Sequence, residues 1–124
     1  MTLQTITIEG GRIHDIPSFY DEINRVFKAP DDWKLGPSLD ALNDMLYGYS
    51  DIEIIWRDAQ MSKAALGHET TRQHYVNKLS RPNTYNVKRI ESDIAALDAG
   101  TGPTYFDIVL DIIASHSSIH LTLV

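Results

Sequence analysis

The sequence predicts an α/β domain in which a small three-stranded parallel sheet is packed with helices. Two observations carry this. Three segments of strand character, one near each end of the chain and one in the middle, are separated by stretches whose apolar residues recur at helical spacing. Strands separated in this way need crossover connections, and crossovers make the sheet parallel. The second observation is size: a chain of 124 residues buries roughly two thirds of the surface its unfolded form exposes, enough for one core and one domain over residues 1–124.

Each element has its own signal. Thr5, Ile6, Thr7 and Ile8 alternate as a strand does, and Gly10 and Gly11 end it. Pro17 opens a helix in which Phe19, Ile23, Val26 and Phe27 share one face. A turn cluster from Pro30 to Gly36 precedes the run PSLDALNDMLYG, where Leu39, Leu42, Met45 and Leu46 form the apolar stripe, Ser38 is the N-cap and Gly48 the stop. Ile52 to Trp56 reads as a second strand, apolar enough to be buried on both faces. A short helix over Asp58 to Leu66 is expected next, then helices over Thr70 to Leu79 and Val87 to Leu97, with Ser80 to Tyr85 as the turn between them. Gly100, Gly102 and Pro103 open a last helix through Ser115. Its apolar residues, Phe106, Ile108, Val109, Leu110, Ile112 and Ile113, cover too wide an arc for a helix resting on a sheet alone. The two middle helices, with Ile90, Ile94 and Leu97 on one side, are expected to cover the remainder. Ile119, Leu121 and Leu123 close the sheet.

Composition narrows the chemistry. No cysteine is present, which removes disulfides, thiolate metal centres and thiol nucleophiles. The formal charge is −6, against direct nucleic-acid binding and in favour of a basic protein partner. MTLQTITIEG has no secretory-signal pattern and no stretch reaches the about 20 apolar residues of a membrane span, so a cytoplasmic protein without membrane contact is expected. His68 and His74, six residues apart, do not share a helix face, and His116 and His120 straddle a helix end and a strand. No HExxH pair, P-loop or GxSxG elbow occurs; the histidines read as surface residues and Gly100 to Pro103 as a helix-start turn. No catalytic, metal or cofactor residue is assigned.

Asp40, Asn43, Asp44 and Tyr47 lie at helical spacings opposite the apolar stripe. Two carboxylates one turn apart repel, and Asp is a poor interior helix former. Asp40 in the first turn is favoured by the helix dipole, whereas Asp44 is not. On spacing alone the pattern fits a solvated acidic face, an interface for a cationic partner, or a catalytic carboxylate pair.

The run LDALNDMLYG, with a proline and glycine turn before it and a strand ending in Trp56-Arg57 and then Ser62-Lys63 after it, resembles the barstar family of intracellular ribonuclease inhibitors. The likeness extends from the first strand to about Leu66 and again from Phe106 to Leu123. It implies a three-stranded parallel sheet with helices against it. It also implies a function, in which an acidic helix enters the cationic active site of a ribonuclease or nuclease toxin, as an immunity protein does. By position, Asp44 resembles the main acidic anchor and Asp40 its neighbour. Ser38 stands at a capping residue that touches the enzyme, Gly36 at a glycine of close backbone approach, and Asp111 at a further acidic contact. Where relatives carry a large aromatic residue this chain has Asn43, and its turn reads Asp32-Trp33-Lys34-Leu35, with Lys34 setting a positive charge toward a positive site. Residues 67–101 stand in place of a short loop, as a helical insertion.

These implications make Asp40, Asp44, Asn43, Ser38, Gly36, Lys34, Trp33, Tyr47 and Asp111 the expected partner-binding residues of a chain that is monomeric when free. Two other readings remain open: a small metal-dependent hydrolase using the Asp pair, and a non-inhibitory interaction module of the same fold. A ribonuclease holds its phosphodiester with Arg, Lys and His, so carboxylates on a rigid helix can imitate the phosphates through charge-assisted hydrogen bonds.

Overall fold

Ten segments follow one another in the computed structural model, which describes residues 3–27 and 34–124. They are β1 (Gln4–Glu9), a 3-10 turn (Gly10–Arg12), α1 (Ile16–Phe27), α2 (Leu39–Leu46), β2 (Ile52–Arg57), α3 (Ala59–Ala65), α4 (His68–Leu79), α5 (Val87–Asp98), α6 (Tyr105–Ala114) and β3 (Ile119–Leu123). The expected α/β class and parallel sheet are present, with strand order β1-β2-β3 and registers of Ile6 on Ile54 and Ile54 on Leu121. Of the turn cluster before α2, Pro30 to Trp33 lies outside the described residues.

β2 is buried on one face, not on both. Ile52, Ile54 and Trp56 are buried, whereas Glu53 and Ile55 are only half-covered. Beside these two lie Thr5, Thr7, His120 and Thr122, which share the less covered side. The order of the strands supplies the reason: each crossover steps one place in the same direction, and two right-handed crossovers of that kind lay their helices on the same side of the sheet.

The core lies between that covered face and the helices. Ile6, Ile8, Ile54 and Trp56 from the sheet meet Phe19, Ile23 and Phe27 of α1, Leu42 and Leu46 of α2, and Phe106, Val109 and Ile113 of α6. The Trp56 indole donates to Ser62 Oγ at 2.9 Å, and Ser62 donates to the Gly10 carbonyl at 3.3 Å, which ties β2, α3 and the 3-10 turn together. A Cβ on Gly10 would stand 2.4 Å from the carbonyl oxygens of both Arg57 and Asp58, so this position admits only glycine. Two buried polar features have no counterpart in the apolar pattern. The Glu22 carboxylate accepts the Glu9 N–H at 2.8 Å and two bonds from Arg25 at 2.7 and 2.6 Å. The hydroxyls of Tyr20 and Tyr105 meet at 2.6 Å, and burial raises the pKa of both phenols.

The arrangement around α6 differs from the expected one. α6 packs on α2, β3 and α4, while α5 packs on α4. Ile90 and Leu97 are buried there, outside the main apolar cluster, and Ile94 is half-buried. Tyr105 and Phe106 are where α4 and its approach meet α6: Thr71 Oγ accepts the Tyr105 N–H at 2.7 Å, the Leu66 carbonyl accepts the Phe106 N–H at 3.2 Å, and the His74 ring packs edge-on against Tyr105. The wide apolar arc of α6 is thus divided among the sheet, α2 and α4. The arc requires covering but does not specify which helix covers it.

Candidate functional site

α2 begins where Ser38, in extended backbone, accepts the Ala41 N–H on its hydroxyl at 3.1 Å. This is the expected N-cap. The preceding turn is clamped from α1, since Asn24 Oδ1 accepts the Leu35 N–H and Asn24 Nδ2 donates to the Leu35 carbonyl, both at 2.8 Å. Leu42 and Leu46 point into the core, Leu39 and Met45 are half-buried, and Asp40 and Asp44 stand exposed on the opposite side. Tyr47, 74% exposed, follows at the C-terminal end. Lys34 and Gly36 are exposed in the turn before the helix, and Trp33 lies outside the described residues.

Asn43 is placed differently from its expected outward position. It is half-buried and accepts a hydrogen bond from His116 Nε2 at 2.8 Å, across the junction between α6 and β3. The Tyr47 and His116 rings meet in a T-shaped contact at a centroid distance of 4.6 Å. His116, expected at the surface, is 8% exposed and braces the C-terminal half of α2. A groove between α2 and α6 is lined by Leu39, Asp40 and Asn43 on one side and by Ile108, Asp111, Ile112 and Ser115 on the other. The fold therefore brings Asp111 to the same surface as Asp40, from a helix that sequence distance gives no means of placing there.

Asn24 carries no signal in the sequence, and His116, expected at the surface, is buried. Asn24 is a single polar residue beside the apolar stripe of α1, and His116 is a single histidine after a helix. Neither has a spacing partner.

The charge that the two helices bring to this surface is of one sign. α2 and α6 carry Asp40, Asp44, Asp107 and Asp111 and no Lys, Arg or His. Asp107 is occupied in the capping box of α6 with Thr104. Among the described residues, Asp40, Asp44 and Asp111 have no ion-pair partner. Nor, among those residues, do three His, Asp or Glu side chains come together in a way that could hold a metal ion. The surface thus presents carboxylates on a short helix that is capped at its start, clamped before it and braced at its end. Such an array suits rigid recognition of cationic side chains, because little ordering is needed on binding.

The model of the family Barstar (barnase inhibitor) matches residues 3–86, two thirds of the chain. The chain belongs to the barstar family. The barstar match takes in β1 through α4, including α2 and its preceding turn, and ends before α5. α6, with Asp111, and β3 lie beyond it. No curated protein matches the chain. No helix among the described residues is long and apolar enough to cross a membrane.

Proposed function

We propose that this barstar-family chain inhibits a ribonuclease or nuclease toxin by seating α2 in the enzyme's cationic active site. The observation that carries the reading is the exposed pair Asp40 and Asp44, without counter-charges among the described residues, on a helix held on three sides. Asp44 is the main anchor, Asp40 its neighbour toward the groove, and Asp111 a further contact from α6. Ser38, Gly36, Lys34 and Tyr47 form the surrounding contact surface, Trp33, outside the described residues, is a further partner contact, and Asn43 acts through His116 to hold the helix. The protein acts as a monomeric immunity protein in the cytoplasm, without catalysis of its own.

The test is titration of small basic ribonucleases, barnase among them, with the purified protein while cleavage of a fluorogenic RNA is followed. The expected result is loss of activity saturating at one inhibitor per enzyme, abolished in the Asp40→Ala/Asp44→Ala double variant. Inhibition of none of the panel, or inhibition that survives in the double variant, overturns the reading. A phosphoester screen with added Mg²⁺ or Mn²⁺ tests the hydrolase alternative. Turnover that disappears in Asp44→Asn would establish an enzyme instead.

A further inference from the structure

From Thr70 to Ile90 the chain holds five of its eleven Lys and Arg residues and none of its seventeen Asp and Glu residues. Folded, these cations lie on α4, α5 and the turn that joins them. Two of them are paired: Arg72 with Asp98 at 3.3 Å and Arg89 with Asp93 at 3.5 Å. Lys78, Arg81 and Lys88 have no carboxylate within ion-pair distance among the described residues. The Lys78 ammonium stands 6.0 Å from the ring centre of Tyr75 and 5.3 Å from that of Tyr85. Beside it runs a groove lined by His74, Asn77, Lys78, Ser80, Arg81 and Tyr85. Asn77 Oδ1 accepts from Gln73 at 2.8 Å, which leaves the Asn77 amide hydrogens for another acceptor.

We propose that this hairpin tip is a binding site for single-stranded RNA. Phosphates meet Lys78, Arg81 and Lys88, a base stacks on Tyr85, and the Asn77 amide offers a donor to a base edge. A net charge of −6 argues against nucleic acid only where charge is evenly spread, and here it is segregated. The combination of flat rings, cations and amides distinguishes the partner. An acidic peptide would use the cations but not the ring, whereas a base uses both its faces and its edges. A membrane surface calls for apolar side chains beside the cations. Among the described residues, the exposed large apolar side chains, Tyr47, Met61, Leu123 and Val124, all lie on other segments. The groove shares no residue with the one between α2 and α6, so this binding is independent of the proposed inhibition.

The experiment is fluorescence anisotropy of a labelled mixed-sequence RNA of about 12 nucleotides, within the roughly 4–16 of known single-strand sites, with the full chain and no nuclease present. Three phosphate contacts predict a slope of about −2 in log affinity against log salt, or about 20-fold between roughly 50 and 200 mM. Tyr85→Ala should weaken binding about tenfold through lost stacking. Arg81→Gln, a change at an exposed residue, should weaken it and flatten the slope, with circular dichroism confirming that each variant is folded. The proposal is overturned by any of four results: no binding at the lowest salt; Tyr85→Ala binding as the parent does; oligoglutamate competing as well as unlabelled RNA; or phosphatidylserine vesicles competing better than RNA.

Discussion

Asp44 and Asp40 differ in what the fold asks of each. Asp44 is exposed, beyond the first turn of α2 and one turn from a like charge, so the helix gains nothing from it. Asp44→Ala should therefore melt at the parent's temperature or slightly above it. Under the proposed inhibition its effect belongs to binding, where it should strand buried cations of the enzyme. The expected loss is about 2–5 kcal/mol or more, mainly in the dissociation rate, as for truncation of one partner of any buried, hydrogen-bonded charge pair. Asp40→Ala should lose less affinity, and in the first turn it also gives up a favourable dipole contact. Melting of both variants beside their affinity for the enzyme separates the cases: an unfolded Asp44→Ala makes the residue structural, and unchanged binding removes α2 as the inhibitory element. His74 yields a pH prediction. Burial, with Lys78 nearby, lowers its pKa to about 4, so the folded protein disfavours the imidazolium. The unfolded chain then binds more protons between that value and about 6.5, and stability rises with pH across the interval. Since the ring is only partly buried, the effect should be on the order of 1 kcal/mol after solvent screening. Melting temperatures between about pH 5 and pH 7 should rise more steeply for the parent than for His74→Gln. Equal slopes would place the pH dependence elsewhere.

At the scale of elements, legibility followed the kind of signal. The amphipathic stripes of α1 and α2 and the alternation in β1 were readable because each residue's fate depends on its near neighbours. Ser38 at the start of α2 was readable for the same reason. The half-open sheet was not, because it depends on the order in which strands pair, and the seat of α5 was not, because an apolar stripe names no partner. The site divides likewise: Asp40, Asp44 and Tyr47 are exposed on α2 as spacing implies, whereas the groove with Asp111 and the brace from His116 to Asn43 are long-range. We read residues 67–101 as a helical insertion within one domain, since α4 and α5 pack on each other and α4 meets the core at Tyr105. Excision of the segment should uncover Tyr105 and cause aggregation or a lower melting temperature. Thr71→Val probes the same joint more gently. It removes the acceptor of the Tyr105 N–H in a buried setting, a loss of about 1–3 kcal/mol, whereas Thr71→Ser should lose less. A truncated protein as stable and monomeric as the parent would make the pair a loose appendage.

At the scale of the whole molecule, charge is distributed so that orientation precedes contact. Residues 67–101 contain five Lys and Arg against four Asp and Glu, and the rest of the chain six against thirteen. The acidic excess thus resides in the part that carries α2 and α6. Under the proposed function, a cationic enzyme would be attracted to that part before any side chains touch, and ions would screen the attraction over about 8 Å at physiological ionic strength. The association rate should therefore fall by about tenfold or more from low to high salt, with the dissociation rate changing much less. Two variants locate the source. Asp40→Asn/Asp44→Asn should flatten the salt dependence of association, because it removes charge at the docking surface. Lys78→Gln/Arg81→Gln/Lys88→Gln should leave it nearly as steep, because those cations lie on the hairpin, and the groove lined by Lys78 and Arg81 shares no residue with the acidic one. Stopped-flow measurement over a salt series decides between them. A parent association rate insensitive to salt removes steering from the mechanism. A slope that flattens with the hairpin variant and not with the aspartate variant shows instead that the enzyme approaches the hairpin, and the docking surface must then be sought there.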